Sequence, residues 1–252
     1  MKTLTRKFVI AFFTLAAAAS GFAQAKEQSF KLDTGFVFAR GSYGLATDTD
    51  VFLALVNPTY ETTDWRVEGS LPYVRLKGPA TVVGNTGGST TMHSASGVGD
   101  ATLALTRKFT AAEQGWSSSV GAKVKFPTAD EAKGLGTGKL DTTVQVDLFR
   151  AGGKVTPFVS AGYQFLGHSE AYPMKSGFLA TAGVTTKVSS NIVGLAGNWR
   201  QRMIEGSDAA VEVMAFVQRP FNPRSRIQFF VLHGFNDASP DLAAGLILGL
   251  SF

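Results

Sequence analysis

The residues most able to do chemistry are charged side chains that stand two positions apart, with an uncharged residue between them. Arg66 and Glu68 form one such pair, and Lys123 and Lys125 form another. Positions two apart lie on the same face of a β-strand, so the members of each pair can point into a common space. The candidate set is Arg66, Glu68, Asp100, Lys123, Lys125, Asp141, Asp147, Arg200, Glu212 and Arg226.

Other polar residues share the inner faces of the strands predicted below: Lys31, Asp33, Gln145, Gln164, Lys187, Asn198, Gln218 and Gln228. Both signs of charge occur in comparable number. Such residues can line a pore with mixed charge, or they can form salt bridges that close its lumen. A barrel of intermediate size would leave at most a narrow passage between them.

Catalytic chemistry has weaker support in the sequence. None of the three histidines, His93, His168 and His233, stands at short strand spacing from a serine and an acid on one face. There is no cysteine and no histidine cluster to bind a metal. Residues 134–139 superficially resemble a phosphate-binding loop, but Leu140 replaces the required Ser or Thr. We therefore predict no catalytic residues, no cofactor and no metal.

The candidate residues must be positioned by strands, because apolar and polar residues alternate with a period of two from Phe30 onward. In residues 116–126 the even positions are mostly apolar, and the odd positions are Ser, Gly or Lys. Residues 140–149 repeat the pattern, with Asp141 and Asp147 on the polar face. The same reading predicts twelve strands, near 29–39, 50–56, 65–74, 99–109, 116–126, 140–149, 155–166, 177–187, 192–202, 209–218, 226–233 and 241–252.

The predicted connections alternate in length. On the side of the chain termini the turns are short: 57–64, 110–115, 150–154, 188–191 and 219–225. On the other side the loops include the two longest connections, 75–98 and 127–139. Outer-membrane barrels combine short periplasmic turns with longer external loops. The whole of residues 26–252 is therefore predicted to form one transmembrane antiparallel β-barrel of twelve strands, whose closure leaves no backbone edge in lipid.

Aromatic residues stand where these strands would cross the lipid headgroups. They are Tyr60, Trp65, Phe109 and Trp116 on the periplasmic side and Phe38, Tyr73, Phe126, Phe165 and Trp199 on the outer side. The last strand alternates and ends in Phe252, which resembles the C-terminal sorting strand of bacterial outer-membrane proteins. This resemblance implies recognition by the barrel assembly machinery.

The N-terminal residues 1–25 have the layout of a secretory signal peptide: a basic start, an apolar stretch and an Ala23-x-Ala25 cleavage site. Their removal takes away three basic residues, so little of the net charge of +5 remains and nucleic acid is not an expected partner. Beyond this segment no apolar run is long enough for a membrane-spanning helix. A composition with 28 glycines, 17% charged residues and no cysteine excludes a disulfide-stabilised fold and favours an all-β chain.

Three motifs resemble one known family. They are Gly97-Val98-Gly99-Asp100, Lys123-Val124-Lys125-Phe126-Pro127-Thr128 and Gly136-Thr137-Gly138-Lys139-Leu140-Asp141. They are similar to motifs of the outer-membrane protein family named for the meta-pathway of phenol degradation, and the similarity is best over residues 97–149. Ala129 stands where that family usually has Gly after the Pro-Thr pair, so the resemblance does not establish the geometry of this turn.

The resemblance implies a porin-like or transporter-like barrel for aromatic or other hydrophobic compounds, and it supplies no catalytic residues. By position, Asp100 and Asp141 would lie in the lumen near the outer rim. They would form a constriction or ligand site, or they would anchor loops by accepting backbone N–H bonds.

We expect a channel or transporter in the bacterial outer membrane, in contact with lipid and a small-molecule solute. One alternative is a barrel enzyme that acts on lipid, similar to the outer-membrane phospholipase. The other is a closed structural or adhesive barrel that uses loop 75–98 as its contact surface.

Overall fold

The computed structural model describes residues 28–80, 93–109, 115–151, 153–168, 174–204 and 207–252. Within these ranges every regular element is a β-strand. The same residues contain no helix that is long and apolar enough to cross a membrane. The predicted signal peptide at 1–25 lies outside the described residues.

Thirteen strands make up one antiparallel sheet. They are β1 (Gln28–Gly41), β2 (Thr49–Thr62), β3 (Trp65–Gly78), β4 (His93–Val98), β5 (Thr102–Phe109), β6 (Gly115–Lys125), β7 (Asp141–Ala151), β8 (Val155–Phe165), β9 (Gly177–Val188), β10 (Asn191–Arg200), β11 (Ala210–Asn222), β12 (Ser225–Gly234) and β13 (Leu242–Ser251). β1 pairs with both β2 and β13, and β2 pairs with β3, so the sheet closes on itself.

β4 and β5 both pair with β3 and are the two halves of a single barrel strand. The fold is therefore a closed barrel of twelve antiparallel strands, which confirms the predicted fold class and strand number. Closure pairs the backbone groups of neighbouring strands around the whole ring, as a spanning strand protein requires.

The outer face of the barrel is apolar. In β6, Trp116 and Val120 are exposed, whereas Ser117 and Ser119 are buried, as the alternation predicted. The predicted interfacial aromatic residues are all exposed: Phe38, Tyr60, Trp65, Tyr73, Phe109, Trp116, Phe126, Phe165 and Trp199. An apolar surface of this extent on a closed barrel is suited to lipid rather than to water.

Two strands continue through prolines at which the sequence predicted turns. The predicted turns 57–64 and 219–225 are wrong, because β2 and β11 extend well into both ranges. Pro58 has no N–H, and the pairing of β2 with β3 is interrupted beside it. Pro220 adjoins a shift in the register between β11 and β12. Each proline removes a ladder hydrogen bond, and the pairs on either side maintain the strand.

The strand predicted at 99–109 begins earlier and is interrupted, so the predicted loop 75–98 is also wrong in extent. Between β4 and β5 there is one residue more than on the facing part of β3, which is a β-bulge. The Gly99 N–H donates to the Pro72 carbonyl at 2.8 Å. The bulge directs two consecutive residues, Gly99 and Asp100, toward the inside of the barrel.

The two ends of the barrel differ in their connections. β1 begins and β13 ends at the same end, which we call the terminal end, and the connections described there include the tight turns 63–64, 189–190 and 223–224. The opposite end, the loop end, has the longer segments, including 126–140 and 235–241. This is the predicted alternation of short turns and long loops.

Candidate functional site

A cavity of about 310 Å³ lies inside the barrel. β1–β3 form one side of its wall, and β12 and β13 continue it. The inward side chains of these strands are apolar over their loop-end halves, at Val37, Leu53, Val74, Phe230 and Leu232, and Ile247 extends the apolar surface just past the middle of β13. The cavity therefore has an extended hydrophobic wall, which the expectation of a polar inner face did not include.

Charged residues line the rest of the cavity in equal numbers of each sign. The acids are Asp33, Asp100, Asp141 and Glu212, and the bases are Lys123, Lys125, Arg200 and Arg226. The structure thus brings seven of the ten predicted site residues to one cavity. The other three, Arg66, Glu68 and Asp147, do not line it.

Lys125 is the centre of the best-defined charged cluster. Its Nζ lies 2.9 Å from Oδ2 of Asp100 and 2.9 Å from Oδ2 of Asp141. It also donates to Oγ1 of Thr137 at 3.0 Å. The β-bulge, the last residue of β6 and the first residue of β7 bring these groups together. Their side chains are largely buried, at 21%, 11% and 6% exposure for Lys125, Asp100 and Asp141, so their charges depend on one another for stabilisation.

The same cluster anchors loop 126–140. Asp100 Oδ1 accepts the Ala129 N–H at 3.0 Å, and Thr128 Oγ1 accepts the Ala101 N–H at 2.8 Å. Asp141 Oδ1 accepts the Gly167 N–H at 2.9 Å from the next loop. Both carboxylates thus line the cavity and also hold loop backbone. Ala129 does not adopt a positive φ, so its side chain causes no strain.

Loop 126–140 folds into the barrel. Leu135 is 1% exposed and lines the cavity, and its side chain lies against β4 at Gly97. A Cβ on Gly136 would come within 2.9 Å of the Asp100 carboxylate, so this approach requires glycine. The loop therefore places an apolar side chain over the loop end of the cavity.

A second loop, residues 235–241, also turns inward. Ala238 and Pro240 line the cavity, and Arg200 donates to the Ala238 carbonyl at 3.4 Å. Beside this loop, Tyr43 has a φ of 49° and is 0% exposed, a strained conformation for a bulky residue. Burial raises the pKa of the Tyr43 hydroxyl above its usual range. Two inward loops thus narrow the loop end of the barrel.

Ion pairs and one hydrogen bond to a carboxylate continue toward the terminal end. Arg226 Nη2 donates to both Asp33 oxygens at 2.8 Å. Arg66 lies 2.5 Å from Glu68, and Asp147 accepts from Ser119 Oγ at 2.7 Å. The partners of each pair lie on the same or nearby strands, so the pairs follow the wall and do not bridge the lumen.

The sequence did not indicate the ion pair between Glu61 and Lys108, in which Lys108 Nζ lies 2.8 Å from Glu61 Oε1. Lys31 is a second ion-pair partner of Glu61. Glu61 falls within the predicted turn 57–64, whereas in the structure it belongs to β2. Val37 shares the inner face of Asp33, four positions earlier, but only the strand register shows that it lies beside Leu53 and Val74 in one apolar wall.

Three phenylalanines on the inner face lie against glycines of the neighbouring strand. The cross-strand pairs are Phe158 with Gly183, Phe216 with Gly194, and Phe230 with Gly245. A Cβ on any of these glycines would lie within 2.4 Å of the partner ring. Glycine thus allows each ring to lie flat along the wall.

His168 and His233 do not line this cavity. His233 is exposed, with Nδ1 2.7 Å from the Asp241 carbonyl and its ring against Phe235. His168 is also exposed. In the part of the chain that the structure describes, no group of three or more His, Asp or Glu side chains could hold a metal ion.

A model of the family described as "Putative MetA-pathway of phenol degradation" matches residues 20–252. Among solved structures, the COG4313 outer membrane channel from Pseudomonas putida F1 has a TM-score of 0.71 at 13% identity, covering 91% of this chain and 97% of that one. The NanC porin has a TM-score of 0.57 at 11% identity, with coverages of 88% and 98%. The KdgM porin has a TM-score of 0.54 at 6% identity, with coverages of 88% and 99%. A comparison with curated proteins gives no match.

The structural similarities support the fold, since each of these proteins forms a barrel with which most of this chain aligns. Similarity at such low identity carries no information about the solute. The family match rests on the sequence and extends from residue 20 to the last residue. The chain therefore belongs to the family of the MetA-pathway of phenol degradation, and it is a β-barrel of the bacterial outer membrane.

Proposed function

We propose that the barrel is a channel for small, uncharged and largely apolar molecules, with aromatic compounds among them. The observation that carries this proposal is the cavity whose hydrophobic wall faces an equal number of acidic and basic groups. An ion would gain little net attraction from such a lining. An apolar solute would bury its surface against Val37, Leu53 and Phe230.

The size of the cavity agrees with a one-ring solute. An apolar cavity of about 150 Å³ is sufficient to bind benzene, and this cavity measures about 310 Å³. The family description refers to phenol degradation, and the Pseudomonas putida protein is called an outer membrane channel. Both support the same class of function. We also propose that all ten predicted charged residues, including Arg66, Glu68 and Asp147, belong to the lumen lining.

The test is ion current through the purified barrel in a planar bilayer. We expect a small current with weak ion selectivity, and we expect benzyl alcohol to reduce it by occupying the cavity. A large current that no aromatic solute reduces would instead indicate a general porin. A silent bilayer with no bound solute would favour the closed structural barrel.

We propose that the barrel is not an enzyme. His168 and His233 are exposed, and His233 lies at the outer face, away from the charged groups of the cavity. Hydrolysis of the bilayer phospholipid by the purified protein, lost on replacement of a histidine, would contradict this and favour the phospholipase-like alternative.

The barrel assembly machinery and membrane lipid are the further partners that we propose, after cleavage of residues 1–25. Phe252 is 71% exposed at the terminal end, and its ring lies 5.9 Å from that of Phe30. If the assembly machinery recognises Phe252, Phe252→Ala should reduce the amount of protein in the outer membrane severalfold. Refolding in detergent should not slow, because the ring has few packing partners. Phe221→Ala, at a ring that is 60% exposed, is the control. Equal loss in both variants would contradict recognition of the terminal residue.

A further inference from the structure

Six inward side chains that line the cavity belong to one transverse row of the sheet. In order they are Asp33, Asn57, Ser70, Thr102, Lys125 and Asp141. Asp33 is the register partner of Asn57, Ser70 is that of Thr102, and Lys125 is that of both Thr102 and Asp141. Asn57 and Ser70 face each other where Pro58 interrupts the ladder. We call these six residues the polar row.

The polar row runs along the length of the lumen as well as around it. Strands in a closed barrel tilt relative to the barrel axis, so a row perpendicular to the strands climbs the wall. Asp141 opens β7 at the loop end, whereas Asp33 lies in the terminal half of β1. Asp33 accepts from Arg226, which is near the start of β12 at the terminal end. The row therefore connects the two ends of the cavity.

The two ends of the polar row are charged and paired, and its centre is uncharged. Lys125 and Asp141 bond at one end, and Asp33 bonds Arg226 at the other. Between them stand the amide of Asn57 and the hydroxyls of Ser70 and Thr102. A solute with one polar group can exchange hydrogen bonds along this centre while its apolar part contacts the hydrophobic wall.

Asn57 offers an unused acceptor to such a solute. It is 8% exposed and lines the cavity. Its Oδ1 is buried and has no hydrogen-bond partner within the described part of the chain. A buried acceptor that lacks a partner is unfavourable, so a donor that reaches it gains more than the usual net hydrogen bond.

On the basis of the proposed channel function, we propose that the polar row binds the hydroxyl group of a small uncharged alcohol or phenol. Asn57 Oδ1 accepts that hydroxyl proton, and the apolar body of the solute lies against Leu53 and Val37. The site thereby favours a hydroxyl-bearing ring over the corresponding hydrocarbon, which leaves Asn57 unpaired. It also favours the hydroxyl over a carboxylate, because the bases of the cavity are balanced by acids.

The experiment measures binding by ¹⁹F NMR to the full barrel in detergent micelles, so that it does not depend on ion conduction. The probes are 4-fluorobenzyl alcohol, 4-fluorotoluene and 4-fluorobenzoate. We expect Asn57→Leu to weaken binding of the alcohol by more than about fivefold, the effect of one usual net hydrogen bond, and to leave binding of 4-fluorotoluene unchanged. Asn57→Ser retains an acceptor and should recover part of the affinity.

Gln145→Leu is the matched control, because Gln145 is an inward amide that does not line the cavity. Equal binding of the alcohol by the wild type and the folded Asn57→Leu variant would overturn the role of the polar row. Tightest binding of 4-fluorobenzoate would overturn it also, because the charged ends would then hold the solute. If the wild type bound none of the three probes, the proposed channel function itself would fail.

Discussion

Replacement of Lys125 by methionine is expected to destabilise the barrel by about 2–4 kcal/mol, because it leaves two largely buried carboxylates without their cation. Asp100 and Asp141 both lie 2.9 Å from the Lys125 Nζ. Methionine retains the length of the side chain, so the loss arises from charge rather than from volume. The lumen would also gain one net negative charge. We therefore expect the ion current to become selective for cations.

The stability of Lys125→Met is measured by urea unfolding in lipid vesicles, and the selectivity is measured from the reversal potential in a salt gradient. Lys133→Met, in the adjoining loop 126–140, is the matched control. It removes an ion pair with Asp130 in which the two side chains are 57% and 43% exposed, so its effect on stability should be small.

The double variant Lys125→Met with Asp141→Asn tests the cause. It removes one carboxylate along with the cation, so it should recover part of the lost stability and selectivity. Equal destabilisation in the single and double variants would contradict the ionic explanation and would indicate a packing role for Lys125.

The strand pattern was predictable from the sequence because one face of most strands must meet lipid. Trp116, Val120 and Phe126 recur at even positions with small or charged residues between them, and period two is the only regular backbone period that separates the two sets. The physical demand for a lipid-facing surface thus fixes strand type, strand number and the direction of each side chain where the two faces differ.

The strand limits at Pro58, Pro220 and Gly99 depend on neighbouring strands. A proline lacks one donor and a bulge inserts one residue, and either is tolerated when the next pairs in the ladder hold. The strength of those pairs depends on residues far away in the sequence. A rule that considers only residues adjacent in the sequence therefore ends β2 and β11 too early. The same rule does not detect the bulge between β4 and β5.

The contacts of the site could be predicted only in part. The two-residue spacing placed Lys123 and Lys125 on an inner face, but only the register brings Lys125 to Asp100 and Asp141. Val37 is at the same strand face as Asp33, but only the register of β1, β2 and β3 brings it together with Leu53 and Val74 in one hydrophobic wall. Leu135 points into the barrel because Asp100 and Lys125, which lie outside its loop, hold that loop in place. The sequence of the loop alone therefore does not predict this direction.

Shortening Leu135 is expected to widen the loop end of the cavity. Leu135 is 1% exposed and is held between the cavity and β4. Leu135→Ala should lower the free energy of unfolding by about 2–4 kcal/mol, as for other buried leucines, since the anchored loop can collapse only in part. Leu140→Ala, at a position that is 51% exposed on the outer face, should have a small effect and is the control.

The ion current of Leu135→Ala distinguishes a narrowed passage from a released loop. The bonds from Asp100 to Ala129 and from Lys125 to Thr137 do not involve the Leu135 side chain, so the loop should stay anchored. We therefore expect a larger and steady current with unchanged ion selectivity, whereas Lys125→Met should change the selectivity. An unchanged current in a folded Leu135→Ala barrel would indicate that the narrowest point lies elsewhere. A change in the ion selectivity of Leu135→Ala, in which Lys125 is retained, would mean that the Leu135 side chain and not the ion pairs holds loop 126–140 in place.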